Sequence, residues 1–309
     1  MTTKRERAIV VSALKHAAPY IRLFKGKVFV IKAGGEVFAD PELTTALVEQ
    51  VGILHQVGIR TVLIHGGGPQ STKLASDLGL DTQFVDGRRV TDSESLNVAA
   101  MILNGQINTR ILAACRDLQI PAVGISGVDA GLIRAHKRPP VESSAGESVD
   151  YGYVGDIDAV DADILRKQLD NGLMPVVSPL SCDESGTLLN INADTVAAAI
   201  AAELDAEKLI LVTGATGILE DVNDPGSLIS YIDRKHLKTL KEKGSLADGM
   251  LPKAAAIDAA IGNGVSRVHV ISYKLPDSIL LEVFTNEGTG TLVVDDIAAL
   301  TPEEQAAES

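Results

Sequence analysis

The chain alternates short apolar runs with segments of helical periodicity, and this alternation constrains its fold more than any other feature. The clearest apolar runs are VFVIKAGG (28–35), TVLIHGGG (61–68) and KLILVTG (208–214), and each ends in glycine. Helical patterns follow such runs, for example at 41–58 and 193–204. Strands that are buried on both faces read as continuous apolar runs. Strand–helix alternation therefore predicts an open, mainly parallel α/β sheet between two layers of helices.

The remaining predicted elements extend this pattern. Further helices are predicted at 5–21, 69–79, 93–117, 161–172 and 251–264, and further strands at 121–127, 175–180, 267–272 and 288–294. Pro19 should end or kink the first helix, because proline lacks the N–H that a helix interior requires. The polar segment 132–156, which contains glycine and proline, predicts a hairpin or a lid.

No strong linker interrupts the chain, so we expect lobes of one continuous sheet and not separate domains. The expected division is an N-terminal helix at 1–26, one lobe at 27–180, a second lobe at 181–300 and a flexible tail at 301–309. The net charge of −13 argues against nucleic-acid binding, which needs a basic face. No signal-peptide or membrane-spanning pattern is found, which predicts a cytoplasmic protein. Two distant cysteines predict neither a disulfide framework nor a metal site.

Two successive strands end in motifs typical of anion binding. In KAGG (32–35), Lys32 supplies a compact positive charge and two glycines expose the backbone. In HGGGPQ (65–70), three glycines precede Pro69 at the start of a helix, where free N–H groups bind anions. Ligands bind at the carboxyl ends of parallel strands, so the pair predicts a phosphate site. The alternative is two glycine turns that pack strand against helix beside an exposed lysine.

Three further motifs carry polar residues, and each has a structural alternative. DGRRVTD (86–92) offers an arginine for a carboxylate, or merely a surface arginine. NINADT (190–195) begins a helix, where Asp194 could instead serve plain helix capping. GMLPK (249–253) brings Lys253 into an alanine-rich helix, or leaves it as a solvated lysine.

Together the five motifs resemble the amino acid kinase family, and within it the N-acetyl-L-glutamate kinases. They occur in the family's order and spacing over roughly residues 5–294. The resemblance implies an eight-stranded, mainly parallel sheet in a three-layer αβα sandwich. It also implies that the N-terminal lobe binds the acylated amino acid and that the C-terminal lobe binds ATP. The reaction would be ATP-dependent phosphorylation of the side-chain carboxylate of N-acetyl-L-glutamate in arginine biosynthesis.

The resemblance also assigns roles to residues. Lys32 and Lys253 would flank the transferring phosphoryl group, and Asp194 would orient both lysines. The remaining assignments are Gly34 and Gly35 to the ATP phosphates, Gly66 and Gly67 to the substrate through N–H groups, Arg89 to its α-carboxylate, and Asn190 to the acetylated amino acid. A carboxylate nucleophile with a pKa near ~4.3 is already ionised and needs no general base. Mg²⁺ would arrive with the ATP phosphates and not in a protein metal site.

Regulation is implied as well. Family members inhibited by arginine carry an extra N-terminal helix and assemble as hexamers, and this chain has such a helix, with Tyr20 near its end. Within LLEVFTNEGTGT (280–291), Glu282 would bind the guanidinium of arginine, with Gly288 nearby. A PII-type signal protein is a further expected partner.

Three residues depart from the family pattern. Gly214 replaces a usual aspartate and Asp248 a commoner glycine, both on the predicted ATP side, and Ala33 stands where a larger residue is often found. Two alternative functions stay open. One is a kinase for N-acetyl-aminoadipate or a related amino-acid carboxylate, since one methylene gives only ~1–3 kcal/mol of discrimination. The other is a catalytically weakened arginine sensor.

Overall fold

A computed structural model describes residues 3–86, 88–143, 146–221, 223–224, 226–246, 248–286 and 288–299. The tail predicted at 301–309 and Gly87 of the DGRRVTD motif lie outside these residues. The helices are α1 (Lys4–Phe24), α2 (Pro41–Gln56), α3 (Gly68–Asp77), α4 (Ser93–Ala100), α5 (Thr109–Asp117), α6 (Asp163–Asp170), α7 (Ala193–Glu203), α8 (Arg234–Glu242), α9 (Leu251–Gly262) and α10 (Ser278–Phe284). Within the described residues, no helix has both the length and the apolar character needed to span a bilayer.

The strands form one large sheet and smaller ones. They are β1 (Val28–Ala33), β2 (Arg60–His65), β3 (Phe84–Val85), β4 (Arg88–Arg89), β5 (Ala122–Ser126), β6 (Ile133–Lys137), β7 (Val141–Glu142), β8 (Ser148–Val149), β9 (Gly155–Val160), β10 (Met174–Ser178), β11 (Leu180–Cys182), β12 (Leu188–Asn190), β13 (Lys208–Thr213), β14 (Tyr231–Asp233), β15 (Val268–Ser272) and β16 (Thr291–Val294). The large sheet has eight strands in the order β14-β16-β15-β13-β1-β2-β10-β5.

The large sheet confirms the predicted fold class. Its neighbouring strands run parallel except for β15 and β16, which are antiparallel. Strands from residues 28–178 form one half of the sheet and strands from 208–294 form the other half. The two halves meet at β1 and β13, whose register pairs Lys32 with Leu211.

Side chains alternate between the two faces of the sheet, and each face carries its own layer of helices. In β1, Phe29 and Ile31 pack into the core that α2, α5 and α10 share, whereas Val30 packs into the core of α7 and α9. Lys32 follows Val30 by two residues, so it points toward the α7 face. This alternation determines which helix can supply a partner for Lys32.

The segment predicted as a hairpin or a lid is a hairpin. Its main strands, β6 and β9, pair in antiparallel fashion with a register shift near Arg134. They join β11 and β12 in a separate four-stranded sheet, and the short pair β7–β8 extends the hairpin. This small sheet lies beside the carboxyl ends of β5 and β10, because Gly127 N–H donates to Leu180 O at 2.8 Å.

The structure refines two local expectations. Helix α1 does not end at Pro19 but continues to Phe24. The carbonyl that loses its N–H partner belongs to exposed Lys15, where water can take the place of the missing donor. The helix predicted at 93–117 is continuous, but its middle part, Met101–Asn108, is a π-helix.

Candidate active site

The two glycine-ended strands lie side by side. In the parallel register of β1 and β2, Ala33 lies opposite His65, so both glycine loops leave the sheet at the same edge. A methyl group on Gly35 would come within 2.9 Å of Gly67 Cα, which explains why the contact requires glycine. The loops border a cavity of about 710 Å³.

All residues predicted for catalysis, substrate binding and phosphate binding line this one cavity: Lys32, Gly34, Gly35, Gly66, Gly67, Arg89, Asn190, Asp194 and Lys253. They come from both halves of the large sheet and from the helices that follow it. The structure therefore brings together five motifs that are far apart in the sequence.

One carboxylate holds both lysines. Lys32 Nζ lies 2.8 Å from Asp194 Oδ1, and Lys253 Nζ lies 3.6 Å from Asp194 Oδ2. The side chains of Lys32 and Asp194 are almost fully buried, at 6% and 5% exposure, and that of Lys253 is 21% exposed. The alternatives of an exposed or solvated lysine are thus wrong for this fold.

In helix α7 the capping residue is not Asp194. The cap is Asn192, whose Oδ1 accepts hydrogen bonds from the N–H groups of Asp194 and Thr195 at 2.8 and 3.2 Å. Asp194 therefore lies inside the helix, two residues after the capping residue, and its carboxylate points toward the two lysines. Burial opposes ionisation of Asp194, but the charges of Lys32 and Lys253 outweigh it and hold its pKa below the ordinary value.

Arg89 is held in place by its neighbours. Its guanidinium donates to Thr72 Oγ1 at 2.5 Å and to Gly68 O at 3.3 Å, both in the first turns of α3. The group also lies 4.9 Å from the centre of the Phe84 ring. Burial lowers the pKa of Arg89 from its ordinary value. The surface-arginine alternative is wrong for Arg89.

A short strap, residues 151–154, joins the arginine loop to Asn190. Thr91 N–H donates to Tyr151 O at 2.9 Å, and Tyr153 N–H donates to Thr91 O at 2.7 Å. On the other side of the strap, the Asn190 N–H donates to Tyr153 O at 2.8 Å. Backbone hydrogen bonds therefore set the distance between the two sides of the predicted acid-binding region.

Two polar residues of HGGGPQ have structural contacts that the sequence did not reveal. Gln70 Nε2 donates to Gly35 O at 2.6 Å and so ties the start of α3 to the other glycine loop. His65 is fully buried, and burial lowers its pKa to about 4. His65 is therefore neutral at physiological pH and is not exposed to the cavity as a base. The only early signal for either residue was its place in the motif.

The glycine N–H groups are not equivalent. Gly66 N–H donates to Ala33 O at 2.9 Å, so it is already used within the protein. Among the described residues, the Gly67 N–H has no hydrogen-bond partner. Gly67 is thus the more available donor of the two glycines predicted to bind substrate.

The three predicted effector residues lie apart from the cavity. Glu282 of α10 accepts hydrogen bonds from Thr289 N–H and Thr289 Oγ1, and a methyl group on Gly288 would lie 3.3 Å from Glu282 Oε2. Tyr20 of α1 donates to Asn286 Oδ1 in the same connecting segment. The structure thus brings all three residues to the junction of α1, α10 and the residues that follow α10, 285–286 and 288–290.

A buried polar chain supports Glu282. Lys208 Nζ lies 2.9 Å from His269 Nε2, and His269 Nδ1 lies 2.6 Å from Glu282 Oε1. Since a lysine ammonium only donates, His269 accepts through Nε2 and donates through Nδ1–H as a neutral ring. Burial and the charge of Lys208 lower the pKa of His269. Burial opposes the ionisation of Glu282, but hydrogen bonds from His269 and Thr289 lower its pKa to about 2.

Comparison with known proteins identifies the class. Residues 27–272 match the model of the amino acid kinase family, and the chain belongs to that family. Among its relatives, the acetylglutamate kinase of Myxococcus xanthus is 47% identical over 292 residues, which are 93% of this chain and 95% of that protein.

Solved structures show the same fold. N-acetylglutamate synthase from Neisseria gonorrhoeae, complexed with coenzyme A and N-acetyl-glutamate, matches with a TM-score of 0.81 and 30% identity over 93% of this chain. A second structure of that synthase, with coenzyme A and L-arginine, matches with a TM-score of 0.81 and 29% identity. This chain spans 63% and 65% of those two chains.

Proposed function

We propose that this chain is an acetylglutamate kinase, which transfers the γ-phosphoryl group of ATP to the side-chain carboxylate of N-acetyl-L-glutamate. The observation that carries the proposal is the pairing of Lys32 and Lys253 with the single carboxylate of Asp194. Two cations and one anion leave one net positive charge at the edge of the sheet. Relatives named acetylglutamate kinase that align with nearly the whole chain support the same conclusion.

The chemistry requires one anion to approach another. The acceptor carboxylate is already ionised at neutral pH, so the protein does not have to remove a proton. Phosphoryl transfer then depends on positioning and on stabilising charge in the transition state. Lys32 and Lys253 supply that charge, and Asp194 keeps both ammonium groups on the line of transfer. The open Gly67 N–H supplies a neutral donor for the acid.

ATP fits the half of the cavity bordered by Lys253 and Gly214, and the acid fits the half bordered by Arg89 and Asn190. In this assignment residues 27–180 supply most contacts to the acid and residues 181–300 most contacts to the nucleotide. The exceptions are Asn190, which would reach the acid, and Gly34 and Gly35, which would reach the ATP phosphates. Asp194 is already paired with two lysines, so Mg²⁺ would be carried by the nucleotide phosphates. When bound, Mg²⁺ neutralises phosphate charge.

Arginine is the effector that best fits the region around Glu282, Gly288 and Tyr20. Glu282 accepts three hydrogen bonds from protein groups, and a carboxylate offers about four acceptor positions. One position thus remains for a guanidinium. The synthase of known structure was solved with L-arginine, which supports this choice of ligand.

We propose that the chain assembles as a hexamer, and the exposed apolar face of α1 supports a contact between subunits. Ile9, Val10 and Leu14 are 59%, 67% and 65% exposed, although an apolar face on a helix usually packs against something. We expect α1 of one subunit to pack against α1 of another. A PII-type signal protein stays a proposed partner without a structural argument.

The test is hydroxamate formation with purified protein, ATP, Mg²⁺ and hydroxylamine, which traps acyl phosphates. N-acetylglutamate and N-acetyl-aminoadipate are run in parallel, each with and without arginine. Turnover of N-acetylglutamate that arginine suppresses is the expected result. Turnover without suppression would contradict the effector proposal alone.

Two other outcomes would overturn the substrate assignment. A preference for N-acetyl-aminoadipate would move the protein to the longer acid. No turnover of either acid by folded protein that binds arginine would favour a regulatory sensor.

A further inference from the structure

His65 touches no part of the cavity, yet it contacts the loop that borders it. Its Nδ1 lies 3.2 Å from Gly66 O, and its Nε2 lies 3.2 Å from Asn108 Nδ2. A carbonyl oxygen only accepts, so Nδ1 carries the ring proton. The second N–H of the Asn108 amide donates to Val176 O at 3.0 Å, which orients the amide with its nitrogen toward His65.

The geometry of the peptide bond carries this contact into the cavity. The carbonyl of Gly66 and the N–H of Gly67 belong to one planar trans peptide and point in opposite directions. When His65 holds the carbonyl on the buried side, the Gly67 N–H points to the opposite side, where Gly67 lines the cavity.

The π-helical segment Met101–Asn108 holds Gly67 from a second direction. A methyl group on Gly67 would lie 2.7 Å from Leu103 Cδ2 and 2.8 Å from Ile107 Cδ1. The same segment ends at Asn108, the hydrogen-bond donor to His65. π-helical turns are rare and occur frequently at functional sites.

We propose that His65 and Asn108 are positioning residues that orient the Gly66–Gly67 peptide so that the Gly67 N–H binds the acceptor carboxylate. The role of this carboxylate rests on the proposed function. His65 acts as a neutral ring with one required tautomer, and neither residue touches substrate.

Two substitutions at His65 separate its two hydrogen bonds. The amide nitrogen of an asparagine reaches about the place of the imidazole Nδ1, so His65→Asn keeps a donor for Gly66 O. A glutamine amide reaches about the place of Nε2, so His65→Gln keeps the contact with Asn108 and loses the donor to Gly66 O. His55→Gln is the matched control, because His55 also contacts a backbone carbonyl, Gly172 O at 3.0 Å, outside the cavity.

We expect His65→Gln to lower kcat/KM for the acid on the order of 10²-fold, the cost of a misplaced reacting group. His65→Asn keeps the donor to Gly66 O but loses the contact with Asn108, so it should lose clearly less activity than His65→Gln while staying below wild type. The KM for ATP should change little in either variant. Thermal melting is measured for all variants. Equal losses in His65→Asn and His65→Gln would indicate a merely structural role and overturn the proposal.

A second measurement does not depend on enzyme activity. In ¹⁵N-histidine spectra of the wild-type protein, the signal that disappears in His65→Asn should report the Nδ1–H tautomer. An Nε2–H tautomer would overturn the proposal even if the protein is active. If wild type turns over no acid, the proposed function fails, while the tautomer still decides whether His65 holds the Gly66 carbonyl.

Discussion

At the scale of single residues, the site is organised by one buried carboxylate. Asp194 is the shared partner of Lys32 and Lys253, and its ionised form depends on both. Removing one partner of a buried pair is costly, since it leaves charge without compensation. Lys253 is the more exposed lysine, so its loss can be studied with less risk to folding.

We predict that Lys253→Met lowers kcat on the order of 10²-fold, since it removes one preorganised charge from the transition state. Hydroxamate formation under saturating substrates measures the effect. Lys238→Met is the control, because Lys238 is a surface lysine whose side chain is 76% exposed. A Lys253→Met enzyme with near-normal kcat would contradict the proposed role.

At the scale of elements, the strap at 151–154 connects the two sides of the proposed acid-binding region. Gly152 has a φ of +72°, and a methyl group there would lie 2.2 Å from Thr91 O. Gly186, in the turn between β11 and β12, has a φ of +83°, but a methyl group there would meet nothing within 4 Å. The two glycines thus share a backbone conformation and differ in available space.

We predict that Gly152→Ala and Gly186→Ala each lose about 1–2 kcal/mol of stability from their left-handed backbone. We expect Gly152→Ala to lose more stability than Gly186→Ala, because the added methyl group clashes with Thr91. Gly152→Ala should also raise the KM for the acid, because the clash pushes the strap away from Thr91. Urea unfolding and substrate kinetics measure the two effects. If the two variants had the same stability and the same KM for the acid, the strap would not determine the geometry of the proposed acid-binding region.

Helix α1 gives a second prediction at this scale. Leu14→Glu places a charge on the exposed apolar face and should reduce the molar mass in solution, measured by light scattering. Ser12→Glu introduces the same residue away from the apolar positions and should leave assembly intact. An unchanged mass for Leu14→Glu would contradict assembly through this face.

At the scale of the whole molecule, buried titratable groups make stability depend on pH. Burial lowers the pKa of His65 from 6.5 to about 4. Between these values the unfolded chain binds a proton at His65 and the native protein does not, so stability falls as the pH falls. The contribution is fully present above pH 6.5 and is lost progressively toward pH 4.

We predict that wild type loses about 2 kcal/mol more stability than His65→Asn between about pH 6.5 and about pH 5, at ~1.4 kcal/mol per pH unit. Urea unfolding at the two pH values measures the difference. Parallel pH profiles for the two proteins would mean that His65 titrates normally in the native state.

Much of the fold was predictable because its signals are local. The runs that became β1, β2 and β13 are apolar on both faces, and the helices between them show clear periodicity. The strand β14 and the helix α10 were not predicted. β14 has three residues and α10 has seven, too few for a periodic pattern.

The sequence by itself determined the α/β layering and the loops that end β1 and β2, because apolar periodicity and glycine act within a few residues. Only the tertiary structure decided how the polar groups pair. It assigned the helix cap to Asn192 and thereby freed Asp194 for two lysines from distant elements. It also used the Gly66 N–H within the protein, and among the described residues it left the Gly67 N–H without a hydrogen-bond partner. Such pairings depend on distances between residues far apart in the chain, and no local pattern encodes those distances.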